Sequence, residues 1–91
     1  MNLYILIDPD KSNRCKVGIT KNPEQRIRAY RTANPDCKFS KIYEIPHRRH
    51  EKMILELLKE VFIVKSEYVH GDPKIVQNII EGYFDDKEID Y

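Results

Sequence analysis

KVGITKNPEQRIRAY, residues 16–30, reads as the end of a strand, a tight turn and the start of a helix. In an extended segment Cys15, Val17 and Ile19 point to one face, and Lys16, Gly18 and Thr20 to the other. Asn22 fits an N-cap, because its side chain can accept from free backbone N–H groups of the first helical turn. Pro23 follows at the first helical position, where a missing N–H costs nothing. Glu24 and Gln25 suit the first turn, and Gln25 could close a capping box. Arg26 and Tyr30, four apart, share one helix face. A lysine, a bare glycine, an arginine and a tyrosine are thus drawn toward one locale, an odd set for a core and a useful one for holding a phosphate.

Working outward, residues 2–8 (NLYILID) form a β-rich alternating run, with Leu3, Ile5 and Ile7 on one face and Tyr4 and Leu6 on the other. Asp8–Asn13 is turn chemistry, and residues 14–20 return as the second strand of a hairpin. A helix is expected over residues 23–32, ended by Asn34 before Pro35. Residues 37–45 (CKFSKIYEI) alternate again as a third strand, stopped by Pro46. A second helix spans 47–62, with Met53, Ile54, Leu57, Leu58 and Val61 as its apolar stripe. Residues 65–69 read as a short extended piece carrying Glu67. Asp72 caps a third helix beginning at Pro73, whose stripe is Ile75, Val76, Ile79, Ile80, Tyr83 and Phe84. The fold class is α/β (α+β): a small three-stranded, mostly antiparallel sheet flanked by helices, in the order β-β-α-β-α-α. Residues 1–84 make the single domain, and residues 85–91 an acidic tail expected to fray.

A chain of 91 residues, 41% hydrophobic and 34% charged, fits one globular domain. The run Leu3–Ile7 is too short for a signal peptide, and nothing approaches membrane-spanning length. The two cysteines, Cys15 and Cys37, supply neither a disulfide framework nor a zinc quartet, which favours an intracellular location. The net charge of +1 hides a split: residues 1–50 hold eleven basic against five acidic side chains, and residues 51–91 five against ten. A basic first half suits a nucleic-acid surface, and scattered solvated charge is the plainer reading.

Strand parity puts Tyr4, Lys16 and Gly18 on one face if Tyr4 pairs near Lys16 or Gly18. A phenol beside an ammonium is a proton-transfer pair, since the cation favours the phenolate. Gly18 leaves room for a ligand, Arg26 and Tyr30 arrive from the next helix, and Glu67 is the one acid that could bring a metal ligand to the same place. His47 and His50 read as a solvated helix start, and Cys15 and Cys37 as small core residues.

These residues resemble the GIY-YIG endonuclease superfamily over nearly the whole chain. Tyr4 within Leu3-Tyr4-Ile5-Leu6, Lys16-Val17-Gly18, Arg26 and Glu67-Tyr68-Val69 stand in the family's order and spacing. The branch they resemble is the short phage- and virus-encoded one, with K-I-G in place of Y-I-G. The resemblance implies that Tyr4 is the general base or activator of the attacking water, that Arg26 holds the scissile phosphate, and that Glu67 binds one divalent metal ion, Mg²⁺ or Mn²⁺. Lys16 stands where many members have a second tyrosine, and Tyr30 where many have histidine. Two words depart from the pattern: Asn2-Leu3 replaces Gly-Ile, and Glu51 is followed four residues on by Leu55 rather than histidine. The expected function is metal-dependent phosphodiester hydrolysis in nucleic acid, DNA foremost, in the cytoplasm of a host cell. Arg14, Lys21, Arg28 and Arg31 would join Lys16 and Arg26 in one basic patch. With no room for a separate reading domain and no membrane partner expected, sequence preference would fall to a homodimer or a partner protein. The alternative is a binding module on the same scaffold, gripping nucleic acid or protein without turnover.

Overall fold

The computed structural model describes residues 1–11 and 13–91; Ser12, part of the expected turn, lies outside them. In chain order the elements are β1 (Asn2–Ile7), β2 (Cys15–Thr20), α1 (Pro23–Ala33), β3 (Lys38–Glu44), α2 (Arg49–Lys59), β4 (Ile63–Lys65), β5 (Tyr68–His70) and α3 (Pro73–Asp86). Among the described residues the sheet has five strands rather than three, in the order β3-β1-β2-β5-β4 with every pairing antiparallel. The two added strands come from the segment read as one extended piece. It folds into a hairpin whose turn passes through Ser66 in the left-handed region (φ 59°), and β5 then joins β2 through Cys15–Val69 and Lys16–Tyr68. Three-residue strands carry no period to detect; cross-strand pairing and the burial of Val69 define them.

Period 2 in β1 and β2 divides the molecule into two cores. Leu3, Ile5, Cys15 and Val17 face α2 and α3, where Ile54, Leu58, Val76, Ile80, Tyr83 and Phe84 are buried. Tyr4, Leu6 and Cys37 face α1, meeting Ile27 and Tyr30. Both cysteines are free and buried, one in each core. In β3 the register slips between Ile5 and Leu6 of β1, skipping Ser40. Phe39 and Tyr43 have the same parity, yet this bulge sends Phe39 to the α1 side and Tyr43 to the other.

The Asn22 cap of α1 forms as expected, accepting from the Gln25 amide at 3.1 Å, but the capping box does not close, since the Asn22 amide is taken by the Thr20 hydroxyl and not by the Gln25 side chain; Asn34 ends the helix in extended geometry. Asp72 likewise accepts from the Lys74 amide at 2.8 Å. Helix α2 is shorter than expected, and Met53 and Val61 of its anticipated stripe are exposed. Its inner face is instead His50, Ile54 and Leu58, a clean i, i+4 row. His50 is therefore no solvated residue. It is buried, with Nδ1 2.8 Å from the Tyr83 hydroxyl. The tail expected at residues 85–91 starts inside α3, which continues to Asp86; beyond it the Ile89 amide donates to Phe84 O at 2.9 Å, and the Tyr91 ring packs 5.3 Å from that of Phe84.

Candidate active site

The hairpin sets the register on which everything else depends. Tyr4 pairs with Gly18, and Leu6 with Lys16, so Tyr4, Lys16 and Gly18 share the α1 face. The strand-to-helix junction is fixed by Thr20, whose buried hydroxyl accepts from the Asn22 amide at 3.1 Å and donates to the Asn22 carbonyl at 3.2 Å. This directs α1 back over the sheet and lays Tyr30 on Tyr4, their hydroxyl oxygens 2.8 Å apart. The β4–β5 turn closes the group. Past Tyr68 the strand leaves β2, the Val17 amide donates to the Glu67 carbonyl at 3.0 Å, and the Glu67 side chain lies over Gly18.

The bare glycine is required sterically. A Cβ at Gly18 would stand 2.5 Å from Tyr4 Oη and 3.1 Å from Glu67 Oε2. Lys16 Nζ lies 3.7 Å from Glu67 Oε2, 4.8 Å from the Tyr30 ring centroid and 5.3 Å from that of Tyr68. Glu67 remains partly open to solvent, so this ion pair adds little stability and leaves the carboxylate free to take another cation. Beside the group a cavity of about 120 Å³ opens under Tyr68, with Arg14, Lys16, Tyr30 and Cys37 in its walls.

The protonation states follow from this packing. Tyr4 is 1% exposed. Burial foremost, then the Tyr30 hydroxyl and the Glu67 charge, holds its proton far above the usual phenol range, and Arg26 offsets this only in part. The expectation that a neighbouring lysine would favour the Tyr4 phenolate is therefore corrected: desolvation outweighs the one cation that acts on it, Arg26, and Tyr4 is a neutral phenol. For Lys16 burial pulls downward, but Tyr30, Glu67 and Tyr68 together outweigh it, so it stays firmly cationic. Glu51, in the first turn of α2, is held above the ordinary carboxylate range by burial and then by Glu67, with Arg48 working the other way.

The structure brings together Tyr4, Lys16, Tyr30 and Glu67. Arg26 stands at the rim, exposed, close enough to act on Tyr4 through its charge, and without an ion pair among the described residues. The anticipated single basic patch is not what the helix presents. Arg28 lies about 200° round α1 from Arg26 and pairs with Glu24 at 3.8 Å on the outer face. Arg31 donates from Nε to the Cys37 carbonyl at 3.1 Å. Arg14 covers the Tyr68 ring at 4.7 Å and belongs to the site, while Lys21 is exposed in the turn before α1. Sequence reasoning missed Tyr68, which pairs with Lys16 across the sheet, and Glu51, which it met only as a departure from a motif.

Among the described residues no three His, Cys, Asp or Glu side chains cluster closely enough to cage a metal ion, and no helix is long and apolar enough to cross a membrane. Mg²⁺ does not need a cage: one or two carboxylates, water and substrate phosphates suffice. The partly open Glu67 carboxylate above Gly18, with a second buried carboxylate oxygen on Glu51 that accepts no hydrogen bond, fits such an ion. A family model described as the T5orf172 domain matches residues 1–83. No curated protein and no solved structure matches the chain.

Proposed function

The chain belongs to the T5orf172 domain family, and from that premise we propose that it is a divalent-metal-dependent endonuclease of GIY-YIG type, cutting phosphodiester bonds in nucleic acid, DNA foremost. One observation carries the reading: a tyrosine pair, a lysine and a half-open carboxylate meet around a glycine whose missing side chain, instead of leaving the ligand space expected there, lets the Tyr4 hydroxyl and the Glu67 carboxylate close in over it. A phosphodiester needs a positioned water, neutralised phosphoryl oxygens and a stabilised leaving oxygen. Arg26 offers an unpaired guanidinium fork at the rim, suited to two phosphoryl oxygens. Lys16 adds a fixed positive charge. Tyr4, as a neutral phenol, can accept a hydrogen bond from the attacking water while donating its own proton to Tyr30, which reaches solvent. Glu67 would hold the one divalent ion, Mg²⁺ or Mn²⁺, which when bound supplies charge neutralisation at the leaving oxygen. Sequence preference would come from homodimerisation or from a partner.

The second reading, a binding module without turnover, is favoured by the burial of Tyr4, whose phenolate is costly to form. Incubating the purified chain with supercoiled plasmid, with and without Mg²⁺ or Mn²⁺, separates the two. Nicking or linearisation that needs the metal is expected. Retention of plasmid with no cleavage under any metal would replace the nuclease reading with the binding one.

A further inference from the structure

The cleavage chemistry proposed for Tyr4, Arg26 and Glu67 leaves the cavity beside them unused. It measures about 120 Å³ and lies under Tyr68. Leu6, Ala33 and Cys37 give it apolar walls. The rings of Tyr30 and Tyr68 add flat faces, and the Lys16 ammonium lies 4.8 Å from one centroid and 5.3 Å from the other. Arg14 also lines the cavity and covers the Tyr68 ring at 4.7 Å. Asp8 stands in the same wall, so cationic donors and an anionic acceptor border one small apolar space.

Size and chemistry narrow the occupant. An apolar cavity of about 150 Å³ holds one benzene molecule, so about 120 Å³ suits a single six-membered ring rather than a fused pair. A phosphate would satisfy Arg14 and Lys16, but Asp8 would repel it. The Asp10 amide first, and then Asn34, hold that carboxyl below its ordinary range and keep it charged. A pyrimidine base matches the whole set. It offers flat faces to the tyrosines, carbonyl oxygens to Arg14 or Lys16, and an N–H to Asp8. Stacking of single bases on aromatic rings, aided by arginine, is a general mode of gripping unpaired strands.

The position of the cavity links it to the chemistry. Lys16 and Tyr30 belong to both, Lys16 lying 3.7 Å from Glu67 Oε2 and the Tyr30 hydroxyl 2.8 Å from that of Tyr4. A base seated there belongs to a nucleotide beside the phosphate held at the catalytic group. Enclosed by protein walls, it has left its partner strand. We propose that this cavity takes one unpaired pyrimidine base of the bound strand, stacked against Tyr68. The link to a cut position rests on the nuclease reading; the binding of the base does not. The cavity gives a single chain a base preference of its own, beside any that a homodimer or a partner supplies.

The test is fluorescence anisotropy of labelled single-stranded oligo-dT and oligo-dA with the whole chain, in EDTA so that no cutting occurs. Oligo-dT should bind the more tightly. Oligo-dA also stacks on itself, so the variants decide. Ala33 is exposed at the end of α1 and lines the cavity, so Ala33→Phe fills it without entering either core. This variant should weaken oligo-dT binding roughly 5–150-fold, the worth of one base–aromatic stack, and leave oligo-dA binding unchanged. Tyr68→Ala should weaken oligo-dT binding equally, whereas Tyr68→Phe, which keeps the ring, should bind it like the parent. With Mn²⁺ added, the parent should cut a mixed-sequence single strand beside pyrimidines, and Ala33→Phe should cut without that preference. Equal binding of the two oligomers by the parent, or Ala33→Phe and Tyr68→Ala indistinguishable from it, overturns the inference and leaves the nuclease reading standing. A preference for oligo-dT that both variants abolish, with no cleavage under any metal, establishes the base site and removes the nuclease reading alone.

Discussion

Adding one methyl group at Gly18 should break the site from within. The new Cβ would lie 2.5 Å from Tyr4 Oη and 2.7 Å from Tyr4 Cζ. Carbon contacts settle at roughly 3.5–4.0 Å, so the phenol must retreat by about 1 Å. It has nowhere to go: Tyr4 is 1% exposed, with Phe39 at 5.0 Å between ring centroids and Tyr30 bound to its hydroxyl. Overpacking of this kind costs about 1–3 kcal/mol. Displacing the hydroxyl from Tyr30 adds about 0.5–1.5 kcal/mol, and alanine regains about 0.5–1 kcal/mol over glycine in a strand. A net loss of about 0.5–4 kcal/mol follows. In a domain this size each kcal/mol lowers the melting temperature by about 4–8 °C. Urea denaturation of Gly18→Ala, Tyr4→Phe and the double variant is the assay. The double variant should lose less than the sum of the singles, by about 0.5–2 kcal/mol, since one clashing atom has gone while Cζ remains. A Gly18→Ala protein as stable as the parent, with additive singles, would refute the reasoning: the edge would then be soft enough to admit a side chain, and Gly18 would not shape the site.

Four further outcomes are expected. Tyr4→Phe removes only the proton-handling hydroxyl, so cleavage should slow by roughly 10²–10⁴-fold with DNA affinity unchanged; a loss confined to affinity in gel-shift titrations would contradict its role. Glu67→Gln should collapse cleavage while leaving DNA binding intact or tighter, and robust cleavage by that variant would mean the cation sits elsewhere. Affinity for DNA should fall steeply as salt rises, and Arg26→Ala should weaken both binding and cleavage and reduce the salt slope by about one; an unchanged slope would remove Arg26 from the phosphate. His50 is buried and its proton affinity is lowered, by burial first and then by Arg49, His47 and Lys87. The unfolded chain therefore binds the proton more readily. The contribution is fully present above the unfolded value of 6.5 and is lost as pH falls through it toward the folded value. Melting temperature should drop on acidification below that value, less so in His50→Gln, and parallel curves for the two proteins would show that His50 is not the sensor.

The sequence by itself determined the first two strands, the α1 and α3 caps, and the shared face of Tyr4, Lys16 and Gly18. These rest on local rules: side chains alternate with period 2, and Asn22 and Asp72 satisfy amides two or three residues away. Helical spacing likewise placed Tyr30 one turn from Arg26. What only the tertiary structure decided depends on partners distant in sequence. The β4–β5 hairpin exists because β2 offers an edge, and Glu67 faces Gly18 because that hairpin docks there. His50 is buried because α3 brings Tyr83 to it, 33 residues away. Phe39 and Tyr43 part company at a bulge that no alternation predicts. Tyr4 was legible as a site residue, but its charge was not: the lysine beside it in sequence pattern favours the phenolate, and burial between the sheet and α1 reverses that preference. Desolvation is a property of everything packed around a group, and it is set only when the chain has folded.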